Sequence, residues 1–169
     1  MGVCEKIRSA MDDKKNRKKK PVVVAVSGGW DPIHIGHIRL FKEAKKLGDQ
    51  LVVIINNDNW LMKKKGYVFM PQKERKELIG ALRVVDKVIL TGHPPNPKDM
   101  SVAKELRKLR PNIFANGGDR PSQSLPKPEK TVCKAIGCKM VYSIGRGGKV
   151  QSSSWLLNAF LDNSSQKGK

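Results

Sequence analysis

Cysteine, aromatic residues and negative charge are all scarce in this 169-residue chain. The three cysteines, Cys4, Cys133 and Cys138, are odd in number and lack the spacing of a zinc site. That argues against a disulfide framework and for reduced thiols in a cytoplasmic protein. No apolar run approaches the roughly 20 residues of a membrane span, and the N-terminus lacks the apolar stretch of a secretory signal. Met1-Gly2-Val3-Cys4 begins like an acylation site, but Lys6 stands where that motif prefers a hydroxyl. No membrane partner is expected. Aromatic residues make up 5% of the chain, with no aromatic-rich strand of the kind that stacks RNA bases.

Positive charge is abundant. There are 34 Lys and Arg against 15 Asp and Glu, a formal charge of +19, of which residues 1–20 supply +5. The +14 left in the body fits either a well-solvated basic surface or a polyanionic partner such as a nucleotide, a phosphorylated substrate or nucleic acid. Residues 1–20 read as a basic arm, 21–162 as one domain and 163–169 as a polar tail.

Within the domain, strand and helix signals alternate. Strands are predicted at 22–26, 51–55, 87–90, 112–115 and 139–143. Helices are predicted at 36–47, 71–83, 100–109, 129–136 and 152–161, with 56–70 an irregular lysine-bearing loop. Five strands alternating with helices predict an α/β architecture, a mostly parallel sheet with helices on both faces. Ligands of such sheets bind beyond the carboxyl ends of the strands. His34, the 56–65 stretch, Gly117 to Arg120 and Ser152 should therefore share one rim.

The first strand runs into Ser27-Gly28-Gly29, and His34-Ile35-Gly36-His37 opens the helix that follows. Free N–H groups and the helix dipole at such a junction favour phosphate. His34 and His37, three apart at a helix start, can donate hydrogen bonds to the same phosphate oxygens. Asp31 has three readings: it orients a histidine, helps hold Mg²⁺, or caps the helix. Ser152, Ser153 and Ser154 place hydroxyls at another helix start, where one serine would suffice as a cap. Arg75 and Arg83, eight apart, lie near one helical face and suit phosphate contacts, with an ion pair to Glu77 or Asp86 as the alternative.

Gly28-Gly29-Trp30-Asp31-Pro32-Ile33-His34-Ile35-Gly36-His37, then Lys45-Lys46-Leu47-Gly48-Asp49, Asn57-Asp58, Glu74-Arg75, Leu82-Arg83-Val84-Val85-Asp86 and Ser152-Ser153-Ser154 occur in that order. Together they resemble the signature of the cytidylyltransferase-like nucleotidyltransferases over residues 22–161. The likeness is greatest to heptose-phosphate adenylyltransferase domains, glycerol-3-phosphate cytidylyltransferase and archaeal FAD synthetase. The resemblance implies a Rossmann-like fold and transfer of a nucleoside monophosphate from ATP or CTP to a phosphorylated sugar or polyol. Pyrophosphate is released, Mg²⁺ is the cofactor, and a homodimer is a further implication. It casts His34, His37 and Lys64 as catalytic, Lys64 folding over the triphosphate, with Lys63 to Lys65 as a solvated charge run the alternative. Gly28, Gly29, Trp30, Asp31, Ile35 and Gly36 would line the nucleotide. Asp119, after Gly117-Gly118, would approach its ribose or base, and Ser152 to Ser154 would hold the β- and γ-phosphates. Arg75, Arg83 and Arg146 would support phosphate or substrate.

Three positions depart from the pattern. Trp30 replaces a usual Phe and would enlarge the stacking surface by the nucleotide. Gly147 stands in an expected Arg-Thr, with Arg146 and Lys149 beside it. Asn116 replaces the lysine of the heptose enzymes. The absent Arg-Thr and the Gly-Gly-Asp block favour ATP. A non-catalytic nucleotide- or nucleic-acid-binding protein on the same fold is the alternative function, and it ranks lower because both histidines and all three serines are present.

Overall fold

A computed structural model describes residues 20–117 and 125–145, together with 153, 155, 157 and 159 of the C-terminal segment. The basic arm, the polar tail and Cys4 lie outside the described residues, as do Asp119, Arg146, Ser152 and Ser154.

Five strands form one sheet in the order β3-β2-β1-β4-β5: β1 Val23–Gly28, β2 Gln50–Ile55, β3 Lys87–Leu90, β4 Ile113–Gly117 and β5 Lys139–Ile144. Every pairing is parallel, beginning with Val23 opposite Gln50 and Val24 opposite Ile113. The sheet is thus wholly, not merely mostly, parallel. Alternation sorts its side chains. Val24 and Val26 of β1, with Leu51, Val53 and Ile55 of β2, face one core, and Ala25 and Ile54 face the other. Phe41 and Ala44 of α1 (Ile35–Lys45) and Ile79 of α3 (Gln72–Gly80) close the first core. Ala103 and Leu106 of α4 (Ala103–Leu109) and Val132 and Cys133 of α5 (Lys127–Ile136) close the second.

The stretch predicted as a loop contains a helix, α2 (Asp58–Lys65). Asn57 caps its start by accepting from the Trp60 N–H at 3.1 Å, and Gly66 ends it in the left-handed region at φ +81°. Both are ordinary helix punctuation, but only Leu61 is buried, so the segment lacks an apolar stripe to betray it. The helix predicted at 71–83 stops at Gly80, and the one predicted from 100 starts at Ala103. There the Val102 N–H is taken by the Glu129 carboxylate at 3.0 Å. Of the predicted last helix, Ser153, Trp155, Leu157 and Ala159 are helical.

The chain order reverses between β1 and β4, the switch point at which open parallel sheets hold ligands. A Cβ on Gly117 would strike the Leu40 methyls, and one on Gly145 would sit 3.4 Å from the Leu40 Cα. The carboxyl ends of β4 and β5 therefore press against α1, whose first residues follow the turn after β1.

Candidate active site

The turn leaving β1 is packed too tightly for side chains at its glycines. A Cβ on Gly28 would lie 2.9 Å from the Trp30 ring, and one on Gly29 2.8 Å from Leu61. Trp30 folds inward and is 6% exposed. Its Nε1–H donates to the Ile54 carbonyl at 3.2 Å, and its ring meets those of Phe41 and His37 edge-on at 4.9 and 5.0 Å. Trp30 is thus a core wall behind the histidines and offers no stacking surface to a nucleotide, contrary to the expectation.

His34 is the N-cap of α1, a role the sequence had offered to Asp31. The Gly36 N–H donates to His34 Nδ1 at 3.1 Å, and the His34 N–H donates to His37 Nδ1 at 3.2 Å. This is a capping box built from two imidazoles. A lone pair must face each donor, so both Nδ1 atoms are unprotonated and the ring proton sits on Nε2. The rings stack with centroids 3.7 Å apart. Burial lowers the His34 pKa, with the Lys65 charge adding to it. Burial, then His34, then Lys65 push the His37 pKa down to about 3. Both imidazoles are neutral at physiological pH, and neither Nε2–H has a partner among the described residues.

The helix start therefore differs from the expected cluster of free amides. The Gly36 N–H is spent on His34 Nδ1, and the His37 and Ile38 N–H groups on the His34 carbonyl at 2.9 and 3.4 Å. Ile35 stands exposed on the first turn. Two Nε2–H groups take the place of these three amides as donors.

Lys65, which the sequence did not single out, is the lysine at this site. It is the last residue of α2, half-buried, and its Nζ donates to the Asp31 carbonyl at 2.6 Å. Burial lowers its pKa, the Asp31 charge opposing this and Arg75 reinforcing it. Lys64, the residue expected to be catalytic, is exposed. One residue along a helix is a turn of about 100°, and that rotation separates the two lysines.

Asp31 neither orients a histidine nor presents a free oxygen to a metal. Its carboxylate is 1% exposed and accepts from the Phe69 and Met70 N–H groups at 2.9 and 2.6 Å. Among the described residues, no group of three or more His, Cys, Asp and Glu could hold a metal ion. Mg²⁺ held by Asp31 does not fit this geometry.

Arg75 corrects another expectation. Its side chain is fully buried. Nε donates to the Met70 carbonyl at 2.8 Å, Nη1 to the Gly29 and Asn56 carbonyls at 2.6 and 2.8 Å, and Nη2 to the Asp58 carboxylate at 2.6 Å. One guanidinium thus joins the β1 turn, the end of β2, the start of α2 and the loop before α3. No phosphate can reach it. Arg83 is exposed just before the edge strand β3, at the amino ends of the strands rather than the carboxyl ends that lead to the histidines, and Asp86, three residues on, pairs with Lys45. Its predicted phosphate role does not fit that position.

Ser153 is the described member of the serine trio. Its hydroxyl donates to the Pro32 carbonyl at 3.0 Å, which places Ser153 against the turn carrying the histidines. The third histidine, His93, has a structural place. Its Nε2 meets the Ser101 carbonyl at 3.2 Å and its Nδ1 the Thr91 hydroxyl at 2.8 Å.

The sequence model of the cytidylyltransferase-like family matches residues 25–141. The FAD synthase of Pyrococcus abyssi is 36% identical over 118 residues, 69% of this chain and 75% of that protein. The FAD synthase of Thermoplasma volcanium is 32% identical over 139 residues, 82% of this chain and 94% of that one. A crystal structure described as the lipopolysaccharide core biosynthesis protein from Thermoplasma volcanium superposes with a TM-score of 0.60 at 30% identity, covering 73% and 96% of the two chains.

Proposed function

Since the chain belongs to the cytidylyltransferase-like nucleotidyltransferases, we propose that it transfers AMP from ATP to the phosphate of flavin mononucleotide, forming FAD and releasing pyrophosphate. The observation that carries a phosphorylated acceptor is the protonation of the histidine pair. Each Nδ1 is occupied, each Nε2 bears a proton, and the His37 pKa of about 3 is too low for acid–base work near neutrality. The Asp31 carboxylate is equally spent. A site with these groups suits a nucleophile that needs no deprotonation, and a phosphate anion meets that condition. FMN as the particular phosphate, and ATP as the donor, are supported by the relatives named FAD synthase.

In this reading a phosphate oxygen of FMN attacks the α-phosphorus in line, and the bond from that phosphorus to the oxygen bridging to the β-phosphate breaks. The electron pair leaves with pyrophosphate, so no proton moves. The Nε2–H groups of His34 and His37 and the Lys65 ammonium donate to the oxygens on which charge grows, and fixed donors of this kind are the main source of catalysis in such transfers. In this reading Ser153, whose hydroxyl reaches Pro32 beside the histidines, serves the side of the leaving pyrophosphate. Asp31 and Arg75 act through other groups by holding Lys65 and the turn in place. Mg²⁺ brought with the triphosphate would supply charge neutralisation, with no described residue group to hold it.

A phosphorylated sugar is the second reading, favoured by the description of the 30% identical crystal structure. The test is product analysis by chromatography. The protein with Mg²⁺ is given ATP or CTP and either FMN or a panel of sugar and polyol phosphates. FAD formed from ATP and FMN, faster than any other pairing, is the expected result. Transfer to a sugar phosphate with none to FMN would sink the flavin reading.

A further inference from the structure

The short segment between α2 and α3 carries two aromatic side chains that the architecture leaves outside. Tyr67 is 39% exposed and Phe69 55% exposed, as Trp155 also is at 57%, whereas Trp30, Phe41 and Phe114 are buried. Looseness does not explain this exposure, because the backbone beneath the rings is fastened. The Phe69 and Met70 N–H groups donate to the Asp31 carboxylate, the Met70 carbonyl accepts from Arg75 Nε, and the Gly66 N–H closes α2 on the Met62 carbonyl at 2.9 Å. A clamped backbone that shows aromatic faces to solvent is arranged to present them.

Their place relative to the chemistry is also fixed. Asp31, which holds the Phe69 amide, stands three residues before His34, and its carbonyl holds the Lys65 Nζ. That Nζ lies 5.8 Å from the centre of the Tyr67 ring, within cation–π range. The cation to which the proposed mechanism assigns the phosphates is thus joined to the aromatic segment through Asp31 and Tyr67. A ligand with an anionic phosphate at one end and a flat ring at the other matches that order of groups.

We propose that Tyr67 and Phe69 form the platform on which the planar ring of the acceptor packs, so that they select an aromatic phosphate ester over an aliphatic one. This rests on the flavin reading and adds to it the residues that recognise the ring. Stacking on aromatic side chains tolerates many ring systems, and removing one such side chain typically weakens binding on the order of 10-fold or more.

The experiment measures FMN binding by fluorescence polarisation and FAD formation by chromatography, on the full chain. Tyr67→Ala and Phe69→Ala are each expected to weaken FMN binding about 10-fold, with binding of ATP moved less than about 2-fold and Tyr67→Phe close to wild type. FMN affinity unchanged in both alanine variants, while the wild type forms FAD, overturns the platform and leaves the function standing. Wild-type protein that binds FMN through these rings yet forms no FAD supports the platform and removes the flavin transferase reading. Absence of any FMN binding overturns both. Sedimentation of the same variants completes the test, since a shift from dimer to monomer with FMN affinity unchanged would assign the rings to a second copy of the chain and overturn the proposal.

Discussion

Lowering the pH from 7 to 5 should withdraw stability through His37, with His34 acting in the same direction. Burial, with His34 and Lys65, holds the His37 pKa at about 3 in the folded protein against an ordinary value of 6.5. Between those values the unfolded chain binds a proton that the folded one refuses, so stability falls as the pH falls. The contribution is whole above pH 6.5 and has gone by about pH 3. Integrated from pH 7 to pH 5, the two pKa values correspond to a loss of about 2 kcal/mol. Urea denaturation at both pH values, on wild type and on His37→Asn, isolates this loss from that of every other titrating group. Asn keeps an oxygen able to accept the His34 N–H. Wild type should lose about 2 kcal/mol more than the variant between pH 7 and pH 5. Equal losses would refute the buried neutral imidazole, and so would a ¹⁵N spectrum at pH 7 placing the His37 proton on Nδ1.

Arg75→Met should destabilise the fold by about 3–5 kcal/mol in equilibrium unfolding, because it leaves three backbone carbonyls without their donor and the part-exposed Asp58 carboxylate with the Gln72 N–H alone. A loss below about 1 kcal/mol would contradict that account. Lys65→Ala should lower the transfer rate by about 10²–10³-fold, the usual effect of removing one fixed donor to a developing charge, and Lys64→Ala by far less; the reverse order in single-turnover assays would restore Lys64 to the site. Trp30→Phe should cost about 1–2 kcal/mol of stability through the lost bond to the Ile54 carbonyl, with its effect on stability rather than on ATP binding. A specific loss of ATP affinity by calorimetry would return Trp30 to the nucleotide.

Helix α2 is not legible in the sequence. Its cap residues, Asn57 and Gly66, are in the sequence, but capping residues also mark turns, and no apolar stripe separated the two readings. In a loop nothing ranks Lys63, Lys64 and Lys65 against one another. The same limit applied to Asp31. Asp preceding a helix is a cap by frequency, and its actual partners are amides 38 and 39 residues away. The histidines were legible because their position, between a β-branched strand, a glycine turn and an amphipathic helix, is a local pattern. Their pairing through both Nδ1 atoms was not, since a capping box is ordinarily read from serine, threonine and glutamate.

The sequence by itself determined the alternation of strands and helices, the parallel sheet and the turn that carries His34 and His37. These follow from periodicities of two and 3.6 and from glycine placement, which act over a few residues. Tertiary structure alone decided which lysine faces the site, that Asp31 and Arg75 hold the frame, that Trp30 faces inward and that both imidazoles are neutral Nε2–H donors. The Arg75 side chain reaches Gly29 across 46 positions of chain. Burial and hydrogen-bond partners set these roles, and both are created only when distant segments pack together.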